Sequence, residues 1–193
     1  MRALTARRAE AALRSDVEVF GKLGYAPLES SGPLEAQLRG PGRDLVLRLG
    51  REGRFFGGNW GLEVSTAEAV LPPTERGLTA RGRGVVTMRG VRFRARGRGD
   101  ERALQMAEAL SADERLGAAL GGVDFERLFV RADGSPVIRH LGGSVVWVLF
   151  PPIVRATPLP LEQARAVVVA LAALADAGRR FVGARPDVDP SRR

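Results

Sequence analysis

The sequence predicts an α+β domain: a mostly antiparallel sheet of about seven strands with three to four helices packed on it. Segments at both ends and in the middle repeat apolar residues every three to four positions, as amphipathic helices do. The segments between them alternate apolar and polar residues, and tight-turn residues separate them, which favours antiparallel neighbours. We expect one domain over residues 1–185 and a flexible tail over 186–193.

A helix is predicted over residues 5–23. Its apolar positions recur in steps of four, four and three residues: Ala9, Leu13, Val17 and Phe20. Gly24 follows at a point where a helix end favours a left-handed residue. These features predict that an amphipathic helix opens the domain.

Four strands are predicted before the central helices. They correspond to alternating segments at 34–39, 45–49, 60–65 and about 85–96. Gly40-Pro41-Gly42 turns the first strand into the second, and Pro72-Pro73 closes this meander.

Two short helices are predicted in the middle of the chain. Asp100 is a favourable N-cap for a helix over 101–110. Ser111 and Glu114 form a capping-box pattern, which predicts that a second helix starts there and ends at Gly121-Gly122.

The C-terminal part predicts three strands and a last helix. The strands are 125–131, 137–141 and 144–150. Asp133-Gly134 favours a tight hairpin turn between the first two. The third is apolar on both faces, which predicts a strand covered on both sides or one that ends beneath a helix, and Pro151-Pro152 ends it. Pro160 and Gly178 are expected near the start and the end of the last helix.

Composition excludes several classes of site. The chain has no cysteine and one histidine, His140, so disulfides, thiol catalysis and centres that need two imidazoles are ruled out. No phosphate loop or dinucleotide-binding glycine motif occurs. We therefore expect no metal and no cofactor.

Composition also bears on the source and the compartment. Arginine supplies 29 of the 30 basic residues, a bias that suggests a GC-rich bacterial genome. The longest apolar run, Ala166 to Ala175, has about half of the roughly 20 residues that cross a bilayer. Because no signal peptide is evident either, we expect a cytoplasmic protein without a membrane partner.

The net positive charge is concentrated in residues 76–99. This segment contains eight arginines and no acidic residue, and the remaining 22 basic residues are balanced by 22 acidic ones. If residues 91–98 form a strand, alternate arginines lie on one face. The predicted anion or nucleic-acid contacts are Arg81, Arg83, Arg89, Arg92, Arg94, Arg96 and Arg98.

Two interpretations of these arginines stay open. Carboxylates on neighbouring strands would give ordinary cross-strand pairs on a solvated surface, which is the commoner arrangement. Unpaired guanidinium groups would instead bind an anionic partner, a nucleic acid or an acidic protein. Phe93 alternates to the other face, so the platform on which single-stranded binders stack bases is absent from this row.

The leading hypothesis is a non-catalytic binding protein, and two alternatives remain. One is a protein–protein or homodimerisation module, since the element order resembles, in topology only, small secretion-chaperone-like domains. It predicts an apolar patch near the strand that precedes Pro151 or on an exposed edge. The other is an enzyme centred on His140, with Ser144 or Ser135 nearby, and it predicts a pocket containing that side chain.

One stretch carries a resemblance to a known family. Residues 142–177 (GGSVVWVLFPPIVRATPLPLEQARAVVVALAALADA) combine an apolar strand, a Pro-Pro pair, an arginine, a proline-broken link and an apolar helix. This string is similar to the C-terminal part of a bacterial family known only as a domain of unknown function. Ser144-Val145-Val146 and Arg155 carry the similarity, which implies a bacterial cytoplasmic protein and assigns no functional residue.

Overall fold

Four helices lie among the residues that the computed structural model describes, which are 2–28, 32–54, 57–83, 90–148 and 153–183. They are α1 (Arg2–Gly21), α2 (Glu101–Ala112), α3 (Glu114–Gly121) and α4 (Leu161–Gly183). Within these ranges no helix is both long and apolar enough to span a bilayer. Gly24 has φ +87° just beyond α1, as the sequence predicts.

Ten strands run between these helices in the described ranges. They are β1 (Ala26–Pro27), β2 (Glu35–Arg39), β3 (Leu45–Arg54), β4 (Gly57–Thr66), β5 (Leu78–Arg83), β6 (Gly90–Ala95), β7 (Phe125–Val130), β8 (Pro136–His140), β9 (Ser144–Val148) and β10 (Ile153–Thr157). Every pairing among them is antiparallel. The predicted α+β class is therefore confirmed, with more strands than the seven expected.

The sheet forks at β4. Its main path runs β1-β2-β3-β4-β8-β7-β5-β6, which makes β6 the last strand at one end. The C-terminal half of β4 pairs with β8, whereas its N-terminal half pairs with β9. Among the described strands, β10 pairs with β9 alone. The β9–β10 hairpin thus forms a branch beside the main sheet.

The helices cover one face of this sheet. Leu47, Val64 and Ile138 lie side by side on β3, β4 and β8, and all three are fully buried. They share one apolar core with Phe20 of α1 and Leu171 of α4. We call this the helix-covered face, and the opposite one the open face.

Three strand predictions need correction. The strand expected within 85–96 is β6, and the sequence does not predict the preceding β5. Residues 84–89 and 149–152 lie outside the described residues. The strand β10, which follows the second gap, is not predicted either, because Pro151-Pro152 predicts only the end of the strand before it. The β9 strand is covered on one face only, since Val146 is 42% exposed on the other.

Two predictions about helix ends are wrong. Asp113, not Ser111, caps α3, and its carboxylate accepts a hydrogen bond from the Leu116 N–H at 3.0 Å. Gly178 lies inside α4, which continues to Gly183. A β-carbon at Gly178 would lie 2.3 Å from the carbonyl oxygen of Val70, so close packing against that loop explains this glycine. The predicted tail over 186–193 lies outside the described residues.

Candidate anion-binding surface

The edge strand β6 separates apolar and charged side chains as its sequence predicts. Val91 and Phe93 are 8% and 3% exposed and belong to the core, whereas Arg92 and Arg94 are exposed on the open face. The α2 helix packs on β6, and Ser111 Oγ accepts a hydrogen bond from the Phe93 N–H at 2.9 Å. This contact occupies a backbone donor that faces away from β5 and fixes the strand that carries the arginines.

The turn after β6 adds two further exposed arginines. The sequence predicts a strand over residues 91–98, but β6 ends at Ala95. Arg96 and Arg98 therefore lie beyond the strand. Gly97 and Gly99 adopt φ of +107° and +87°, so the chain bends after Arg96, whose N–H still donates a hydrogen bond to the Gly77 carbonyl at 3.0 Å. Arg92, Arg94, Arg96 and Arg98 are called the arginine surface below.

No carboxylate pairs with the arginine surface within the described residues. Across the β5–β6 ladder Arg94 lies opposite Thr79, and Arg92 lies opposite Arg81, another base. The nearest acid along the chain, Asp100, accepts hydrogen bonds from the N–H groups of Ala103 and Glu75 at 2.9 and 2.8 Å. Its charge is therefore used to cap α2 and to anchor the preceding loop.

Three other predicted contacts are placed only in part. Arg81 and Arg83 lie in β5. Arg89 lies outside the described residues. Arg76, an exposed arginine of the same charged segment, runs past the turn, since a β-carbon at Gly97 would lie 2.7 Å from its Cδ.

A second arginine site on the open face shows the opposite arrangement. The Arg139 side chain, on β8, is only 5% exposed and lies flat over Gly61, whose β-carbon would come within 2.6 Å of Nε. Its guanidinium group is 2.9 Å from Glu52, 3.1 Å from Glu126 and 3.7 Å from Glu63. The contact of Nε with Glu126 is an ion pair without the alignment of a hydrogen bond.

Arg127 completes this group, which we call the Arg139 cluster. Its guanidinium group lies 3.3 Å from the same Glu52 oxygen that accepts from Arg139. The cluster therefore brings three carboxylates to two guanidinium groups. These carboxylates serve β8 and its neighbours and do not reach the arginine surface.

Comparison with known proteins identifies the family. A family model described as "Protein of unknown function (DUF3156)" matches residues 20–177. The chain belongs to this family. The DUF3156 match confirms the resemblance to an uncharacterised family and extends it from the C-terminal part to most of the sequence. No curated protein and no solved structure matches the chain.

His140 of this DUF3156 member is held as a structural residue. It is 2% exposed; Nδ1 accepts a hydrogen bond from the Gly142 N–H at 2.8 Å, and Nε2 lies 3.1 Å from Gln163 Oε1. Ser144 and Ser135, the predicted nucleophiles, donate instead to the Leu141 carbonyl and the Asp133 carboxylate. The hydrogen bonds of His140 tie β8 to α4 and give it no contact with a nucleophile among the described residues.

Asp16 is a buried charge site that the sequence analysis missed. It is 2% exposed, and its Oδ2 has no hydrogen-bond partner among the described residues. Burial raises the pKa of this carboxyl to about 7, and a hydrogen bond from the Leu159 backbone opposes the shift. The signal was in the helix period, because the buried stripe is Ala9, Leu13, Asp16 and Phe20, with Asp16 where Val17 was expected.

The large aromatic residues pack at the forked part of the sheet. The ring centroids of Trp60 and Trp147 are 6.2 Å apart, and the guanidinium carbon of Arg51 lies 5.8 and 5.5 Å from them. A β-carbon at Gly58 would lie 2.5 Å from Trp147. Packing around this glycine therefore explains the aromatic cluster.

Proposed function

We propose that this protein binds nucleic acid through the phosphate backbone and that the arginine surface makes the contact. The observation that carries the proposal is the exposure of Arg92, Arg94, Arg96 and Arg98 with no carboxylate partner among the described residues. Guanidinium groups that are close together along the chain and exposed without carboxylate partners repel one another, and a polyanion relieves that repulsion.

Two properties favour phosphate as the ligand. The guanidinium fork matches phosphate oxygens in geometry and charge. The whole chain has a formal net charge of +8 and a sequence pI near 11.3, and a basic stripe on such a protein is the usual electrostatic mark of nucleic-acid binding. An acidic protein would satisfy the same charge, so the experiment below separates the two partners.

The surface favours recognition of the backbone over recognition of bases. Phe93, the aromatic residue of β6, is buried in the core, so it offers no ring to a base. Backbone contacts fix position on the nucleic acid but carry no sequence information. We therefore expect binding with little dependence on sequence and a strong dependence on salt.

Fluorescence anisotropy of a labelled DNA duplex and a labelled RNA, titrated between about 50 and 200 mM salt, tests the proposal. The variant R92A/R94A/R96A should reduce the slope of log K against log salt by about 2 to 3. The matched control R7A/R14A/R165A loses the same charge from exposed positions on α1 and α4 and should change the slope much less.

Absence of nucleic-acid binding, or equal losses in both triple variants, would reject the arginine surface as the contact. Retention on polyglutamate together with no binding to DNA or RNA would replace nucleic acid by an acidic protein as the partner.

Self-association is a second candidate, favoured by the branch of the sheet. Val146 and Ile153 are 42% and 51% exposed and share the open face of β9 and β10, where the sequence predicted an apolar patch. Sedimentation velocity at increasing concentration tests it. A dimer that V146E abolishes would support this candidate, and a monomer at every concentration would reject it.

A further inference from the structure

A groove of about 450 Å³ lies between the β2–β3 turn and α4. Its wall residues include Tyr25, Arg43, Leu45, Val168, Leu171 and Arg179. This volume falls within the range of about 300–1,000 Å³ that small-molecule sites occupy. The groove lies near the β1–β2–β3 end of the sheet, whereas the arginine surface lies at the β6 end.

The floor of the groove is apolar and firmly packed. Leu45 and Leu171 are each 1% exposed and belong to the core. Tyr25 packs edge-to-face on Phe20 with ring centroids 5.9 Å apart, and its ring covers Gly40, where a β-carbon would lie 2.1 Å away. The wall is therefore formed before any ligand arrives.

Unpaired polar groups border this apolar floor. Arg43 is partly buried, and its side chain makes no ion pair or hydrogen bond within the described residues. The Tyr25 hydroxyl likewise has no hydrogen bond there. Burial and the nearby Asp44 carboxylate raise its pKa, and the Arg43 guanidinium group opposes this shift. By contrast, Arg179 at the same groove is paired with Asp176.

We propose that this groove binds a small amphipathic organic anion. Its apolar body would lie against Val168 and Ala172, which are partly buried and exposed above the core residues Leu45 and Leu171, and its anionic head would pair with the Arg43 guanidinium group. A partly buried cation beside apolar side chains has a desolvation cost that an anion offsets, and an apolar ligand part gains from covering Val168 and Ala172. This site is independent of the nucleic-acid proposal.

Two fluorescent probes test the groove. Anilinonaphthalene sulfonate carries an apolar ring system and one negative charge, and phenylnaphthylamine is its neutral counterpart. We expect the native chain to bind both probes. R43Q should weaken binding of the sulfonate by about tenfold and leave the neutral probe unchanged, whereas R165Q removes the same charge from α4 outside the groove and should change neither.

A steric variant locates the site. Ala172 lines the groove on the exposed side of α4, so A172F should block both probes, while V169F, which adds the same ring at a 52%-exposed position outside the lining, should block neither. Circular dichroism confirms that each variant is folded. Absence of binding to the native chain, or binding that A172F leaves unchanged, would overturn the proposal. Persistence of sulfonate binding in R92A/R94A/R96A would separate this site from the arginine surface.

Discussion

Arg139 and Arg94 lie on the same open face of one sheet, but their positive charges are balanced in different ways. Arg139 is buried on a central strand, and three glutamates from β3, β4 and β7 surround it. Arg94 is exposed on the edge strand opposite an uncharged threonine. A buried cation must be neutralised within the fold, whereas an exposed one is left for water or for a partner.

Arginines on the same face of the sheet thus have different roles in the two regions. The Arg139 cluster consumes Glu52, Glu63 and Glu126, so these acids are unavailable to the rest of the open face. The surplus of positive charge therefore appears at β6 and in the turn after it. We expect substitutions in the cluster to change stability and substitutions in the arginine surface to change binding.

The largest effect should come from R139M. It removes the cation from three partly buried carboxylates, which then repel one another, and we expect a loss of about 3–5 kcal/mol in the free energy of unfolding. R94M should change it by less than about 0.5 kcal/mol, because that side chain is exposed and makes no ion pair with any described residue. Urea unfolding measures both, and equal losses would contradict the contrast between the two regions.

Asp16 supplies the next largest effect, because it is a buried acid to which the described residues offer no cation. Its pKa is 3.8 when exposed in the unfolded chain and about 7 in the fold, so the fold binds more protons between these values. The contribution of Asp16 to the free energy of unfolding should be greatest below about pH 4, fall as pH rises to about 7 and then level off, a total change of up to about 4 kcal/mol.

The variant D16N tests this assignment. Asparagine cannot ionise, so urea midpoints measured from pH 4 to 8 should lose most of the decline seen in the native chain. The pH slope is the readout, because it is insensitive to a constant packing penalty of the amide. An unchanged decline in D16N would show that another group titrates.

The smallest expected effect comes from giving Arg94 a carboxylate neighbour, which Arg139 already has. T79E places a carboxylate directly opposite Arg94, and a double-mutant cycle with R94M should give a coupling of about 0.2–1 kcal/mol. Pairing should also weaken nucleic-acid binding, whereas T79Q, which has the same shape without charge, should not. Zero coupling would mean that Arg94 points away from the ladder position that the register gives it.

Local signals in the sequence predicted those parts of the fold that depend on a few adjacent residues. Gly24 ends α1, Asp100 caps α2, and the Asp133-Gly134 pair turns β7 into β8, with Gly134 at φ +89°. The alternation of apolar and charged residues also placed Arg92 and Arg94 on a face opposite Phe93. In each case the determining interaction lies within a few residues along the chain.

The incorrect predictions concern features that are determined by residues far apart in the sequence. Gly178 has a typical helix-ending sequence context, but its role is to admit the Val70 carbonyl from a loop more than 100 positions away. Ser111 matches a capping pattern, but its hydroxyl accepts a hydrogen bond from the Phe93 N–H of β6. The three glutamates around Arg139 come from three separate strands, and no spacing rule connects them. Asp16 was missed for a different reason, since its place on the apolar stripe was visible in the helix period.

The fork at β4 has a consequence for how the molecule opens. Within the part of the chain that the structure describes, the β9–β10 hairpin pairs with the rest of the sheet only through the N-terminal half of β4, whereas β8 has ladders on both sides. Amide protons of β10 should therefore exchange with solvent through a partial opening that leaves β7 and β8 intact. The sheet would then behave as two cooperative units that share one strand, and native-state hydrogen exchange would resolve them as separate isotherms.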